Sequence, residues 1–95
     1  MSFDTIHNYY EVLVIQRIND MCAAQFIETE PTFLEDVACV ALNQLPARYV
    51  KHDVDMVYYM TRQEREQMDY EVHKAITAAV EYVSQHRETR AQGSP

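Results

Sequence analysis

One glycine, Gly93, in a sequence of 95 residues restricts this polypeptide more than any other feature. Average usage of about 7% would give roughly seven. Glycine supplies positive φ at turns and lets the backbone approach a bound anion closely. With none in residues 1–92, a P-loop, a dinucleotide-binding fingerprint and a Gly-rich kinase loop are all excluded. Tight two-residue hairpins lean on glycine or asparagine as well, so an all-β fold is not expected. What remains is a helical protein.

The length suits one domain, which buries roughly 60–70% of its unfolded surface, enough for one modest core. The hydrophobic fraction of 47% belongs to a folded protein, not a disordered one. The longest unbroken apolar run is residues 37–42, far short of the ~20 residues of a membrane-spanning helix and of a secretory h-region. A cytoplasmic location is therefore expected. Cys22 and Cys39 form no CxxC pair and sit in apolar surroundings, so both read as buried free thiols in a reducing compartment.

Hydrophobic periodicity divides the chain into three principal helices. The first is expected from about Asp4 or Thr5 to Ala24, with Ile6, Tyr10, Leu13, Ile18 and Met21 as its apolar stripe. Residues 12–15 are apolar without interruption, more than one buried face requires. Such a helix is covered on two sides, and in so short a chain the second cover is expected to be another copy. Thr32 and Glu35 have capping-box spacing and open the second helix, which runs to about Leu45. Its segment 37–42 is apolar all round, so this helix is expected to be central and most buried. Pro46 then ends it.

In residues 46–60, Val54, Met56 and Tyr58 alternate with Asp53, Asp55 and Val57. That alternation suggests a short half-buried strand or an extended connector, with pairing between subunits. Thr61 and Glu64 form a second capping box. The last helix follows to His86 or Arg87, with Met68, Val72, Ile76, Ala79 and Val83 close to 3.6 spacing. The expectation is thus an all-α small bundle of three principal helices with short connecting segments, an intertwined homodimer, with a helical domain over 1–90 and a disordered tail over 91–95.

Net charge is −7, and residues 48–65 are the one stretch with a positive balance: Arg48, Lys51, Arg62 and Arg65 against Asp53, Asp55 and Glu64. Overall acidity disfavours direct DNA binding and anionic membranes, yet leaves room for a small anion held by local cations. Tyr49, Tyr58 and Tyr59 interleave with Arg48, Lys51, His52 and Arg62. Arginine forks grip phosphates or the O6/N7 edge of guanine, and bases stack on aromatic rings. The other reading of this segment is a plain polar connector. Arg65, flanked by Glu64 and Glu66 with Asp69 at i+4, reads as a solvated helix residue. Catalysis finds little support, since Ser2, Ser84 and Ser94 form no nucleophile elbow. His7, His52, His73 and His86 lack metal-ligand spacing, and His52, Asp53 and Asp55 read as a solvated turn, so no metal or cofactor is expected.

The segment Asp36-Val-Ala-Cys-Val-Ala-Leu-Asn-Gln-Leu-Pro-Ala-Arg-Tyr-Val50 resembles the signature of the late competence development ComFB family. The pattern is an apolar helix running into Ala-Leu-Asn, a polar residue, Leu-Pro, then Tyr. Asn43, Leu45 and Pro46 carry its structural part, and Leu45-Pro46 is read as shaping the turn that presents Arg48. Asn8-Tyr-Tyr-Glu-Val-Leu-Val14 is similar to the family's N-terminal helix, and the likeness spans roughly residues 5–87. The resemblance implies an all-α homodimer associated with competence, pili or motility, and some relatives act as cyclic dinucleotide receptors. Others carry a zinc-binding cysteine cluster between the first two helices; residues 19–35 here keep only Cys22, so that metal is not carried over.

A cyclic dinucleotide is two-fold symmetric, as is a C₂ dimer presenting each Arg and Tyr twice. The resulting expectation is a non-enzymatic receptor for a cyclic dinucleotide, cyclic di-GMP first, that acts through a downstream regulatory protein. Arg48, Lys51 and Arg62 would contact phosphate or guanine, Tyr49 or Tyr58 would stack, and His52 belongs to the same basic segment. The alternative is a dimeric adaptor that binds a protein partner without a small ligand.

Overall fold

The computed structural model describes residues 3–93. In chain order it contains β1 (His7–Asn8), α1 (Tyr9–Ala23), α2 (Pro31–Gln44), β2 (Tyr49–Val50), α3 (Asp53–Tyr59) and α4 (Arg62–Gly93). The all-α expectation holds, with two differences: a fourth, short helix lies between the second and last long ones, and a two-residue strand pair joins the connections. No described helix is long and apolar enough to cross a membrane.

α1 begins later than the sequence suggests. Its N-cap is Asn8, whose side chain accepts from Tyr10 N, and the chain before it is extended. Ile6 accordingly lies outside the helix and is exposed. At the other end, Phe26 N donates to Met21 O and Gln25 N to Cys22 O, the paired bonds of a Schellman motif. Gln25 takes φ 62°, the left-handed position that glycine usually fills.

α2 starts with Pro31 at its first turn, and Glu30 rather than Thr32 is the cap: its carboxylate accepts from Thr32 N and Phe33 N. Thr32 lies one residue inside the helix, so the capping box read from Thr32 and Glu35 does not form. Glu30 wins because proline needs no cap partner at that position and a carboxylate complements the helix N-terminus. The helix ends at Leu45, whose ψ of 144° is extended as the residue before proline requires.

The core is the seam between three long helices. Tyr10, Val14 and Ile18 from α1, Phe33, Val37 and Ala41 from α2, and Val72, Ala75, Ile76, Ala79 and Val83 from α4 form one buried cluster. α4 follows the expected stripe, and its start has the expected capping box: Glu64 N donates to Thr61 Oγ1 and Thr61 N to Glu64 Oε2. The helix continues to Gly93, past His86 and Arg87. Of the tail expected over 91–95, residues 94 and 95 lie outside the described residues.

α2 is not enclosed all round. Cys39 is exposed, and Val40 and Leu42 are half-buried. Neither cysteine is fully buried, since Cys22 is half-buried. The reason is geometric: α1 and α4 pack against one side of α2, and among the described residues no further helix covers its opposite face. α1 behaves alike, with Val14 buried and Ile15 55% exposed.

Residues 54–60 are not a strand. Residues 53–59 form α3, in which only Met56 is buried, and the alternation of apolar residues places Val54, Val57, Tyr58 and Tyr59 on the outside. Asp53 and Asp55 in its first turn favour the helical form. Strand pairing falls instead at Tyr49–Val50, antiparallel to His7–Asn8 of the same chain.

Candidate functional site

The turn after α2 is held by the start of α1. Asn8 Oδ1 accepts from Arg48 N at 2.9 Å as well as from Tyr10 N at 3.2 Å, and Tyr9 N donates to Arg48 O at 2.7 Å. Both polar backbone groups of Arg48 are therefore fixed by two consecutive residues, Asn8 at the end of β1 and Tyr9 at the start of α1. Pro46 directs the chain into this turn, and the short β1–β2 pair follows it.

Against that turn lies a cleft of about 720 Å³. Pro46, Ala47 and Arg48 form one wall, Met56 and Met60 of α3 another, and the first turns of α4 a third. Tyr10, Gln67, Met68 and Glu71 complete the lining. The volume falls within the ~300–1,000 Å³ of small-molecule sites. Three methionines supply a soft apolar surface that adapts to a flat ligand. A neighbouring cleft of about 340 Å³ shares Pro46 and Glu71 and is also lined by Lys74. Glu71 thus forms part of the wall between two clefts, one with Arg48 and the other with Lys74.

Inside the main cleft the polar groups are organised. Tyr10 Oη donates to Glu71 Oε2 at 3.1 Å, and Gln67 Nε2 donates to Glu71 Oε1 at 3.1 Å. Burial, and then the hydrogen bond to the Glu71 carboxylate, push the Tyr10 phenol up to about 12, so it remains a donor at all ordinary pH values. Arg48 acts weakly in the opposite direction on the same phenol, which places its charge within electrostatic reach.

Of the six binding residues expected from sequence, Arg48 alone lines this cleft. Tyr49 is in β2 and 69% exposed, Lys51 and His52 are exposed between β2 and α3, and His52 occupies the N-cap position of α3 without a side-chain cap bond. Tyr58 is 81% exposed on the outside of α3. Arg62 opens α4, where its Nε meets Glu66 Oε1 at 3.2 Å in an exposed i,i+4 pair. Pro46 lines both clefts and Leu45 the smaller one, whereas Asn43 lines a separate groove with Val40 and Tyr82.

Sequence reasoning missed Tyr10, Gln67 and Glu71. Gln67 and Glu71 have i,i+4 spacing, but only packing against α1 shows that their shared face meets a cleft. Among the described residues, no three His, Cys, Asp or Glu side chains converge as a metal site.

The fold and cleft define a small helical protein with a ligand-sized recess beside a Pro-Ala-Arg turn. Residues 7–87 match the family model described as late competence development protein ComFB, and the chain belongs to that family. Comparison with curated proteins and with solved structures returned no match.

Proposed function

We propose that this chain is a non-enzymatic receptor for a cyclic dinucleotide, with cyclic di-GMP the first ligand to test, acting as a homodimer in the control of competence, pili or motility. The observation that carries this reading is the cleft beside Arg48. A cation with both its backbone groups tied down stands at a recess of nucleotide size, on a chain whose net charge of −7 otherwise repels phosphates. Without glycine at the site, phosphate is gripped by side chains rather than cradled by backbone amides. Lys74 in the adjoining cleft offers a second cation. Lys51, His52, Tyr58 and Arg62 stand outside the recess and would join only across an interface between two copies. The faces of α1 and α2 that carry Ile15 and Cys39 support such pairing, because they expose apolar surface that one chain leaves uncovered.

Isothermal titration calorimetry with a panel of cyclic dinucleotides tests the reading. Binding by at least one of them, weakened roughly 10-fold or more by Arg48→Ala, supports it, since a lost charge-assisted contact is worth about 1.5–3 kcal/mol. No binding to any of them at tens of micromolar rejects it. In that event the adaptor reading is favoured by α3, whose Val54, Val57, Tyr58 and Tyr59 are all more than half exposed on one short helix.

A further inference from the structure

Glu71 is an odd neighbour for an anion. Any site built only to hold phosphate would exclude a carboxylate, yet this one lines the main cleft together with Arg48. It is also held in place: Tyr10 donates to one oxygen and Gln67 to the other. Each carboxylate oxygen has two lone-pair positions, so one on each remains open after these bonds. The second acid of the cleft, Glu64, is committed to its helix cap through Thr61 N.

A cleft with a fixed acceptor pair and a guanidinium suits a flat ligand that presents donors on one edge and acceptors on another. Guanine is such a ligand. Its N1–H and N2 amine are adjacent donors for a carboxylate, and its O6 and N7 are the acceptors that arginine reads bidentately. Adenine offers an acceptor at N1 and a single donor at N6, so it would leave a carboxylate oxygen facing a lone pair. Met56, Met60 and Met68 supply the apolar surface on which the ring lies.

We propose that Glu71, oriented by Tyr10 and Gln67, is the specificity-determining residue that selects guanine over adenine in the Arg48 cleft. This rests on the cyclic dinucleotide reading and adds the base to it.

Titrations of the full chain with cyclic di-GMP, cyclic di-AMP and cyclic di-IMP decide the matter; the inosine ligand differs from the guanine one only in lacking the N2 amine. The wild type is expected to prefer cyclic di-GMP over each of the others by about 5- to 150-fold, the range of one bidentate base contact. Glu71→Gln is expected to abolish most of that preference without weakening cyclic di-AMP, whereas Glu35→Gln, at an exposed position of α2 outside the cleft, leaves it intact. Equal binding of cyclic di-IMP and cyclic di-GMP by the wild type overturns the assignment of Glu71 and leaves the receptor reading standing. So does an undiminished preference in a folded Glu71→Gln variant. If that variant does not fold, the inosine comparison on the wild type carries the test alone. Failure of the wild type to bind any of the three at tens of micromolar overturns both readings.

Discussion

The Oδ1 atom of Asn8 joins two elements, capping α1 through Tyr10 N and holding Arg48 N in the turn after α2. Asn8→Ala therefore removes an N-cap and leaves a turn amide without its partner. The expected loss is about 1–2 kcal/mol of stability, measured by urea denaturation, and weaker ligand binding because Arg48 is no longer fixed. Gln25 is a second residue whose role the backbone dictates. A non-glycine at φ 62° costs about 1 kcal/mol or more, partly offset because glycine adds freedom to the unfolded chain. Gln25→Gly is thus expected to raise stability by a few tenths to about 1 kcal/mol in the same assay, and a fall would show that the Gln25 side chain itself stabilises the turn. The scarcity of glycine noted in the sequence has a local consequence here: a Schellman motif is built without it. The signal for Asn8 was present, an asparagine directly before an apolar helix. Asp4 and Thr5 offered competing caps a few residues earlier, and only the pairing of His7–Asn8 with β2 extends the chain and disqualifies them.

At the scale of elements, α3 shows where periodicity misleads. Seven residues with alternating apolar positions fit a strand and a two-turn helix almost equally well. The helix prevails because β2 ends at Val50 and Met56 alone finds an apolar seat. His7 fastens this helix to β1. Its Nδ1 lies 2.9 Å from Thr5 O and its Nε2 contacts Asp53 Oδ1, and both bonds require a donor, which only the imidazolium supplies at once. The Thr5 carbonyl first, and then Asp53, raise the His7 pKa above 6.5. A raised folded-state pKa means that the contribution is fully present below pH 6.5 and is lost as pH rises through the folded value. Asp53→Asn should therefore lower the melting temperature most below pH 6.5, with the difference from wild type shrinking above it, and should move the His7 NMR titration midpoint down. A midpoint for wild-type His7 at or below 6.5 would contradict the structure. The two capping boxes make a useful contrast. Thr61 and Glu64 close as their spacing indicates, whereas Thr32 and Glu35 do not, because Glu30 and Pro31 pre-empt the position.

The whole chain is elongated, with extents of 50 × 33 × 22 Å and a radius of gyration of 15.3 Å, against ~13 Å for a compact domain of 100 residues. Most of this is α4, whose 32 residues at 1.5 Å each span nearly the full length. A protruding helix, an exposed Ile15 and an open face on α2 together lead us to expect dimerisation. Analytical ultracentrifugation should give twice the chain mass of 11.2 kDa, and Ile15→Glu should shift it towards the monomer. A wild-type monomer at high micromolar concentration would reject this expectation.

By itself the sequence determined the helical class, the inward stripe of α4, the end of α2 at Pro46 and the local positive balance around Arg48. Each of these follows from local rules: glycine scarcity, a 3.6-residue period, the proline ring and a reversal of charge. Only the tertiary structure decided that Tyr10, Gln67 and Glu71 face Arg48 across one cleft while Tyr58 and Arg62 point away from it. Those groups come from α1, the turn after α2 and α4, far apart along the chain, and their meeting depends on how three helices pack, which no local pattern encodes.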